Sequence, residues 1–156
     1  MTAPPPAPTV WASLKEPGVG GWITSIAASP LQSGRVLAGG DMLGLALSTD
    51  YGANWQPTTG LPSYEMGEIT FHPSNSNIVW AASMSGPMRS TDGGKTWVSM
   101  RAGMPAEDFC YTAPIETILF DSGNSNHLLA FGGSQRQWNT FCTTDESPEI
   151  DSTKYT

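Results

Sequence analysis

The chain has 156 residues and a formal net charge of −7, and only 13% of its residues are charged. A surface of this sign cannot neutralise a row of phosphates, so a nucleic-acid-binding protein is excluded. No run of about 18 apolar residues occurs, and no membrane span is therefore expected. The 17 glycines and 13 prolines disfavour long helices and favour many short strands joined by tight turns.

The first residues, Met1–Pro8 (MTAPPPAP), have neither the basic segment nor the apolar run of a signal peptide. They are typical of an extended, proline-rich linker. We assign residues 1–18 to this N-terminal segment and expect that a natural upstream sequence has been removed.

Two kinds of internal repeat follow. Ser48–Trp55 (STDYGANW) recurs as Ser90–Trp97 (STDGGKTW). Ile26–Gly39 (IAASPLQSGRVLAG) aligns with Ile69–Ala82 (ITFHPSNSNIVWAA) and with Ile118–Gly132 (ILFDSGNSNHLLAFG). Each unit has an apolar segment, a polar turn and a second apolar segment, which predicts paired strands.

In the second unit we expect four strands, at Gly67–Phe71, Ile78–Ser83, Pro87–Ser90 and Trp97–Met100. A repeat of about 40 to 50 residues with four strands indicates a blade of a β-propeller. The fold class is therefore all-β, with about three four-stranded blades at about 19–57, 58–100 and 101–142. We expect residues 143–156 to be a truncated C-terminal tail. Closed propellers have about four to eight blades, so we expect an incomplete ring and a fragment of a longer protein.

The pattern S-x-D-x-G-x-x-W suits a hairpin turn. The carboxylate can accept bonds from N–H groups of the turn, the Gly can adopt a positive φ, and the Trp can pack on the sheet. This is the Asp-box motif of sialidases, xyloglucan-active hydrolases, sortilin-type receptors and a photosystem assembly factor, and it specifies fold rather than function. We therefore assign a structural role to eight residues: Ser48, Asp50, Gly52, Trp55, Ser90, Asp92, Gly94 and Trp97.

Antiparallel connectivity divides the loops between two faces. The Asp-box turns and the turns SPLQSG, HPSNSN and DSGNSN share one, here called the turn face, and it includes His72. The loops between second and third strands and the links between blades share the opposite one, here called the loop face. Irregular loops on a rigid scaffold are where binding usually occurs. Rings and carboxylates suit sugars, so the candidate substrate-binding residues on the loop face are Tyr64, Glu65, Asp108, Tyr111, Arg136 and Trp138.

The segment Gly20–Ile26 (GGWITSI), followed by Ala38–Asp41 (AGGD), Gly44 and an Asp-box, resembles the opening of family 74 glycoside hydrolases, the xyloglucanases. The resemblance covers about residues 19–131. It implies that Asp41 is one of two catalytic carboxylates, the second coming from another propeller domain. The second unit is one residue shorter here, so Asp41 is expected to have no counterpart in the repeat. The family segment T-D-V-G-G-A-Y-R is replaced by GDMLGLAL, so that one Gly, the aromatic residue and the Arg of the family are absent.

The resemblance implies a fragment of a secreted hydrolase of xyloglucan or β-glucan. Inverting hydrolysis needs two carboxylates about 6.5–9.5 Å apart, and no second one here matches the family, so the isolated chain is expected to be inactive. One alternative is a non-catalytic propeller module that binds glycan or protein. Another is a sialidase, although the arginine triad of sialidases is not evident.

The expected partners are a polysaccharide or oligosaccharide and the remaining blades of the parent, or a second copy through self-association. We expect no cofactor and no metal, since two cysteines and two scattered histidines lack ligand spacing. Cys110 and Cys142 either form one disulfide or are two unlinked residues. The expected location is extracellular or periplasmic.

Overall fold

The structure is a computed structural model, and it describes Lys15 and residues 21–42, 44–61, 65–102 and 114–132. Every regular element in these ranges is a β-strand, and all strand pairs are antiparallel. The all-β prediction is confirmed. The described residues contain no helix that could cross a membrane.

The first two sheets have four strands each, in chain order. The first contains β1 (Ile23–Ala28), β2 (Val36–Gly40), β3 (Leu45–Ser48) and β4 (Gln56–Pro57). The second contains β5 (Met66–Phe71), β6 (Val79–Ser83), β7 (Met88–Ser90) and β8 (Val98–Ser99). The four strands expected in the second repeat are thus present, each within one residue of its expected limits.

The third sheet has two described strands, β9 (Ile115–Asp121) and β10 (Asn124–Gly132). Its register places Leu119 opposite Leu129 and Thr117 opposite Phe131. The rest of the third predicted blade lies outside the described residues.

The three sheets stack through their first strands, because β1 contacts β5 and β5 contacts β9. Two hydrogen bonds join these strands. The Thr24 hydroxyl donates to the carbonyl oxygen of Met66 at 2.6 Å, and the Thr70 hydroxyl donates to that of Ile118 at 2.6 Å. The first strands therefore lie side by side along the inner edge of the stack.

The apolar core lies between the sheets, and β6 shows how one strand serves two layers. Val79 and Ala81 belong to the cluster shared with Leu37 of the first sheet. Trp80 and Ala82 belong to the cluster shared with the third sheet. Because side chains alternate along a strand, a sheet in the middle of the stack must be apolar on both faces, as the second sheet is.

The turns of each four-stranded sheet meet at one face, as antiparallel connectivity predicts. The N–H of Tyr51 donates to the carbonyl of Gly34 at 2.9 Å, and the N–H of Gly93 donates to that of Asn77 at 2.9 Å. Each bond joins the turn after a first strand to the turn after a third strand. In each of these two sheets, the two turns assigned to the turn face therefore lie together.

The chain leaving the first sheet is attached to the second. Thr59 forms a parallel bridge with Thr96, and the N–H of Trp97 donates to the Thr59 carbonyl at 3.0 Å. Lys15 has a similar place beside the first turn, since its carbonyl accepts from Trp55 Nε1 at 2.9 Å and its ammonium group donates to Asn54 at 3.1 Å. At Lys15, then, the segment assigned as a linker contacts the first sheet.

Candidate functional site

Asp41 lies directly after β2, on the loop face. Its Oδ1 accepts a hydrogen bond from the backbone N–H of Trp22 at 2.7 Å, and its own N–H donates to the Trp22 carbonyl at 3.0 Å. Both bonds join the exit of β2 to the entry of β1. The carboxylate is held at the start of the inner strand and is half-buried.

The expectation that Asp41 has no repeat counterpart is wrong. In the second sheet the N–H of Met84 donates to the carbonyl of Glu65 at 3.3 Å, in the same place as the bond from Asp41 to Trp22. The strand registers agree, since Ile23 pairs with Gly40 and Met66 with Ser83. The second loop is one residue shorter than the first, and the missing residue therefore falls after Met84. At the position shared by Asp41 and Met84 the backbone bonds agree and only the side chains differ.

A cleft of about 870 Å³ opens along the inner edge of the stack, beside β1, β5 and β9. Asp41 and Glu65 lie at its loop-face end. Glu68, from β5, and Glu116, from β9, also line it. Four carboxylates thus border one open groove.

Trp22 is the large ring of this cleft, and 76% of its surface is exposed. A flat indole can stack on the C–H face of a sugar, and carboxylates accept hydrogen bonds from sugar hydroxyls. The cleft therefore has the two kinds of group that glycan binding requires, next to each other at Trp22 and Asp41.

Of the predicted catalytic and substrate-binding residues, the structure brings Asp41 and Glu65 to the same cleft. The others lie outside the described residues: Tyr64, Asp108, Tyr111, Arg136 and Trp138, together with Cys110 and Cys142.

Sequence reasoning missed Trp22, Glu68 and Glu116, because it searched the loops rather than the first strands. The sequence did contain a signal for them. Trp22 directly precedes β1, and Glu68 and Glu116 lie near the start of β5 and β9, the strands that line the inner edge of the stack.

On the turn face, the second S-x-D-x-G-x-x-W turn is closed by two acceptors. The Ser90 hydroxyl accepts from the buried N–H of Gly94 at 2.9 Å and donates to Asp92 at 2.8 Å. Asp92 also accepts from the N–H groups of Lys95 and Thr96, each at 3.0 Å, and from the Thr96 hydroxyl at 2.7 Å. Partial burial alone raises the pKa of Asp92, but the bonds from Thr96 and Ser90 outweigh it and lower the pKa to about 2.

The first turn repeats this arrangement. The Ser48 hydroxyl accepts from the Gly52 N–H at 2.8 Å and donates to Asp50 at 2.9 Å. Asp50 accepts from the side-chain amide of Asn54 at 2.7 Å and from its N–H at 2.8 Å. These bonds, the Asn54 amide first, lower the pKa of Asp50. Both aspartates direct their oxygens into their own turns, which argues against a catalytic pair.

Both histidines also lie at the turn face. His72 accepts from the N–H of Ser74 at 3.1 Å and contacts the ring of Phe120 edge-on. His127 lies 3.7 Å from the carboxylate of Asp121. Within the described ranges, no three His, Cys, Asp or Glu residues are grouped in a way that could hold a metal ion.

The fold has a counterpart of known structure. An ancestral GH74 enzyme, a member of family 74 of the glycoside hydrolases, is similar over 81% of this chain, with 31% sequence identity and a TM-score of 0.64. The chain spans 15% of the length of that enzyme. No protein-family model and no curated protein matches the sequence. The chain thus has a GH74-like, all-β fold of the kind found in a β-propeller enzyme.

Proposed function

We propose that this chain is part of a glycan-active β-propeller, a hydrolase of xyloglucan or β-glucan. The observation that carries the proposal is the likeness to the ancestral GH74 enzyme, at 31% identity over 81% of the chain. At that identity the likeness concerns sequence as well as fold. The cleft bordered by Trp22 and Asp41 supports the same proposal, because it places an aromatic residue beside a carboxylate.

In this proposal the three sheets are successive blades and the two S-x-D-x-G-x-x-W turns are Asp-boxes. The parent protein is extracellular or periplasmic, where a polysaccharide is accessible. The further blades belong to the parent.

Asp41 is proposed as one of the two carboxylates of an inverting mechanism. One carboxyl group protonates the leaving oxygen while the other activates water on the opposite side of the sugar, and about 6.5–9.5 Å separates them. The Trp22 N–H fixes Oδ1 of Asp41 by a 2.7 Å bond, so the carboxylate has a set position at the cleft. The partner carboxylate comes from a part of the parent outside this chain, and the isolated chain is inactive.

A second candidate is a non-catalytic module that binds glycan or protein through the same face. It is favoured by the bond from Trp22 to Asp41, because a carboxylate that caps a strand entry needs no catalytic role. The sialidase alternative has less support, since Arg35 is buried on the turn face and Arg89 lies over the ring of Trp80 at 5.9 Å.

Turnover separates the two candidates. In a parent protein that contains the partner carboxylate, Asp41→Asn should reduce release of sugars from xyloglucan or β-glucan by about 10²–10⁴-fold. Asp121→Asn, at the turn face, is the matched control and should retain activity. Unchanged turnover in Asp41→Asn would refute the catalytic assignment and favour the module.

Binding tests the glycan site in the chain itself. Titration with xyloglucan or β-glucan oligosaccharides should shift NMR signals, and Trp22→Ala should weaken binding by about 5- to 150-fold, since stacking on an aromatic ring is worth about 1–3 kcal/mol by analogy with bases. Tyr51→Ala removes a ring of similar exposure, 67%, from the turn face and serves as the control. Equal loss in both variants, or no binding by the wild type, would contradict a glycan site at Trp22.

A further inference from the structure

Trp22 lies at a point where packing does little to hold it. It directly precedes Ile23, the first residue of β1, and its side chain is 76% exposed. It belongs to neither of the two apolar clusters that the described residues form. Gly21 before it has a φ of 82°, so the chain reaches β1 through a turn that has no side chain to pack. Packing therefore does not fix the direction in which the indole points.

The strand pairing next to Trp22 is also irregular. The register of β1 against β2 shifts between Ile23 and Ser25, as it does at a β-bulge. The backbone of Trp22 is joined to the end of β2 by two hydrogen bonds, and both are made with Asp41. The shorter, at 2.7 Å, runs from the Trp22 N–H to Oδ1 of the Asp41 side chain. The Asp41 carboxylate is therefore a direct anchor for the residue that carries the exposed ring.

The second sheet shows what the carboxylate adds. Met84 and Glu65 are the backbone counterparts of Asp41 and Trp22, and the Met84 N–H donates to the Glu65 carbonyl at 3.3 Å. Met84 has a thioether where Asp41 has a carboxylate, and a thioether is only a weak acceptor. The backbone bond is thus common to both sheets, whereas the carboxylate is specific to the first. A hydrogen bond to an ionised acceptor is about twice as strong as a neutral one, so the added bond is the stronger of the two at Trp22.

We propose that Asp41 is a positioning residue for Trp22: by holding the Trp22 N–H through Oδ1, it sets the direction of the indole at the cleft before a sugar binds. The inference rests on the proposed glycan site, and it applies to a catalytic and to a non-catalytic parent alike. A ring that is already held in place does not have to be ordered on binding, which is a gain of about 2- to 13-fold in affinity for one side chain. In a catalytic parent, one carboxyl group then serves both the stacking ring and the reaction.

Amide hydrogen exchange followed by NMR tests the anchor without any glycan. Asp41→Ala removes the acceptor and should speed exchange of the Trp22 N–H by about 10- to 150-fold, the worth of a hydrogen bond to a charged group. Asp41→Asn keeps an oxygen in the place of Oδ1 and should lie closer to the wild type than to Asp41→Ala. Glu68→Ala removes another carboxylate of the cleft and is the matched control, with no change expected at Trp22. The amides of β5 should keep their protection in all three variants, which shows that the fold is intact. Equal exchange of the Trp22 N–H in the wild type and Asp41→Ala would overturn the proposal.

Glycan binding by the same variants tests whether the anchor serves the ring. Asp41→Ala should weaken binding of xyloglucan or β-glucan oligosaccharides by about 2- to 13-fold, and Asp41→Asn should restore most of the affinity. In a Trp22→Ala background, Asp41→Ala should have no further effect, because its contribution passes through the indole. A further loss of the same size in that background would show that Asp41 acts on the sugar directly, and it would overturn the positioning role. A wild type that binds neither glycan would refute the proposed glycan site, whereas the exchange result would still decide whether Asp41 anchors Trp22.

Discussion

The first and second S-x-D-x-G-x-x-W turns have the same hydrogen-bonded frame and different surroundings. The residue after the Asp has a positive φ in both, 63° at Tyr51 and 79° at Gly93. Tyr51 is mostly exposed, whereas Gly93 is buried. A left-handed conformation disfavours any side chain, so the first turn tolerates a strain that the second avoids.

The reason for the difference is a side chain of the first sheet. Arg35 is only 7% exposed, and its Nη1 donates to the carbonyl of Ser76, in the second sheet, at 3.0 Å. Its guanidinium lies so close to Gly93 that a Cβ there would be 2.0 Å from Nη1. The second turn is covered by the sheet before it, and a side chain after its Asp would have to displace the Arg35 guanidinium from its hydrogen bond to Ser76. The position of a turn in the stack therefore sets its sequence as much as its own geometry does.

The largest effect is expected for Gly93→Ala. The methyl group would overlap the buried guanidinium and also require a positive φ, so overpacking of about 1–3 kcal/mol adds to backbone strain of about 1–2 kcal/mol. Urea denaturation should show the loss in the free energy of unfolding. Tyr51→Ala, at the equivalent position, is the control and should lose far less. Equal losses at both sites would show that Arg35 does not distinguish the turns.

Ser90→Ala should have the next largest effect. The Ser90 hydroxyl is the acceptor for the buried N–H of Gly94, and an unpaired buried donor costs about 1–3 kcal/mol. The N–H groups that bond Asp92 belong to exposed residues, where water can replace the carboxylate. Ser90→Ala should therefore lower the melting temperature more than Asp92→Ala does, and the reverse order would contradict this division of roles.

The sequence predicted the sheets well because the information lies in short segments. Strands are indicated by apolar segments, and turns by the polar residues and glycines between them. Both are visible in Ile69–Ala82 and Ser90–Trp97. The sequence did not predict what covers each turn. That Arg35 packs on Gly93 follows from the stacking of two sheets, and no local pattern at either residue shows it.

The candidate site was predictable in part, for the same reason. Connectivity alone places Asp41 and Glu65 on one face. The cleft also includes Trp22 and Glu116, which come from the first strands of different sheets and meet only once those strands are stacked. The backbone counterpart of Asp41 is not evident from the sequence, because the two loops differ in length and in residue type. The backbone hydrogen bonds align Asp41 with Met84.

A pH titration should test how much the Asp92 carboxylate stabilises the second turn. The pKa of Asp92 is lowered from 3.8 to about 2 in the folded chain, so its carboxylate contributes stability that is fully present above pH 3.8. That contribution is lost as the pH falls from 3.8 towards 2. Urea denaturation of the wild type and Asp92→Ala should therefore give a stability difference that is constant from pH 7 to 5 and shrinks below pH 4. A difference that does not change with pH would show that the Asp92 carboxylate has no special role in the turn.

The smallest effect, and the one most specific to the first turn, is expected for Tyr51→Gly. Glycine adopts a φ of 63° without the cost that a side chain incurs, which favours the folded state by about 1–2 kcal/mol. Two losses oppose this gain: the hydrogen bond between the Tyr51 and Ser33 hydroxyls disappears, and glycine is more disordered in the unfolded chain. The net change in the free energy of unfolding should lie within about 1 kcal/mol of zero. Tyr51→Phe separates the terms, since it keeps the strain and removes only the hydroxyl, so it should be the less stable of the two variants. If Tyr51→Gly instead proves the less stable, the Tyr51 ring contributes packing at the first turn that outweighs its strained backbone, and a side chain there is an advantage rather than a tolerated cost.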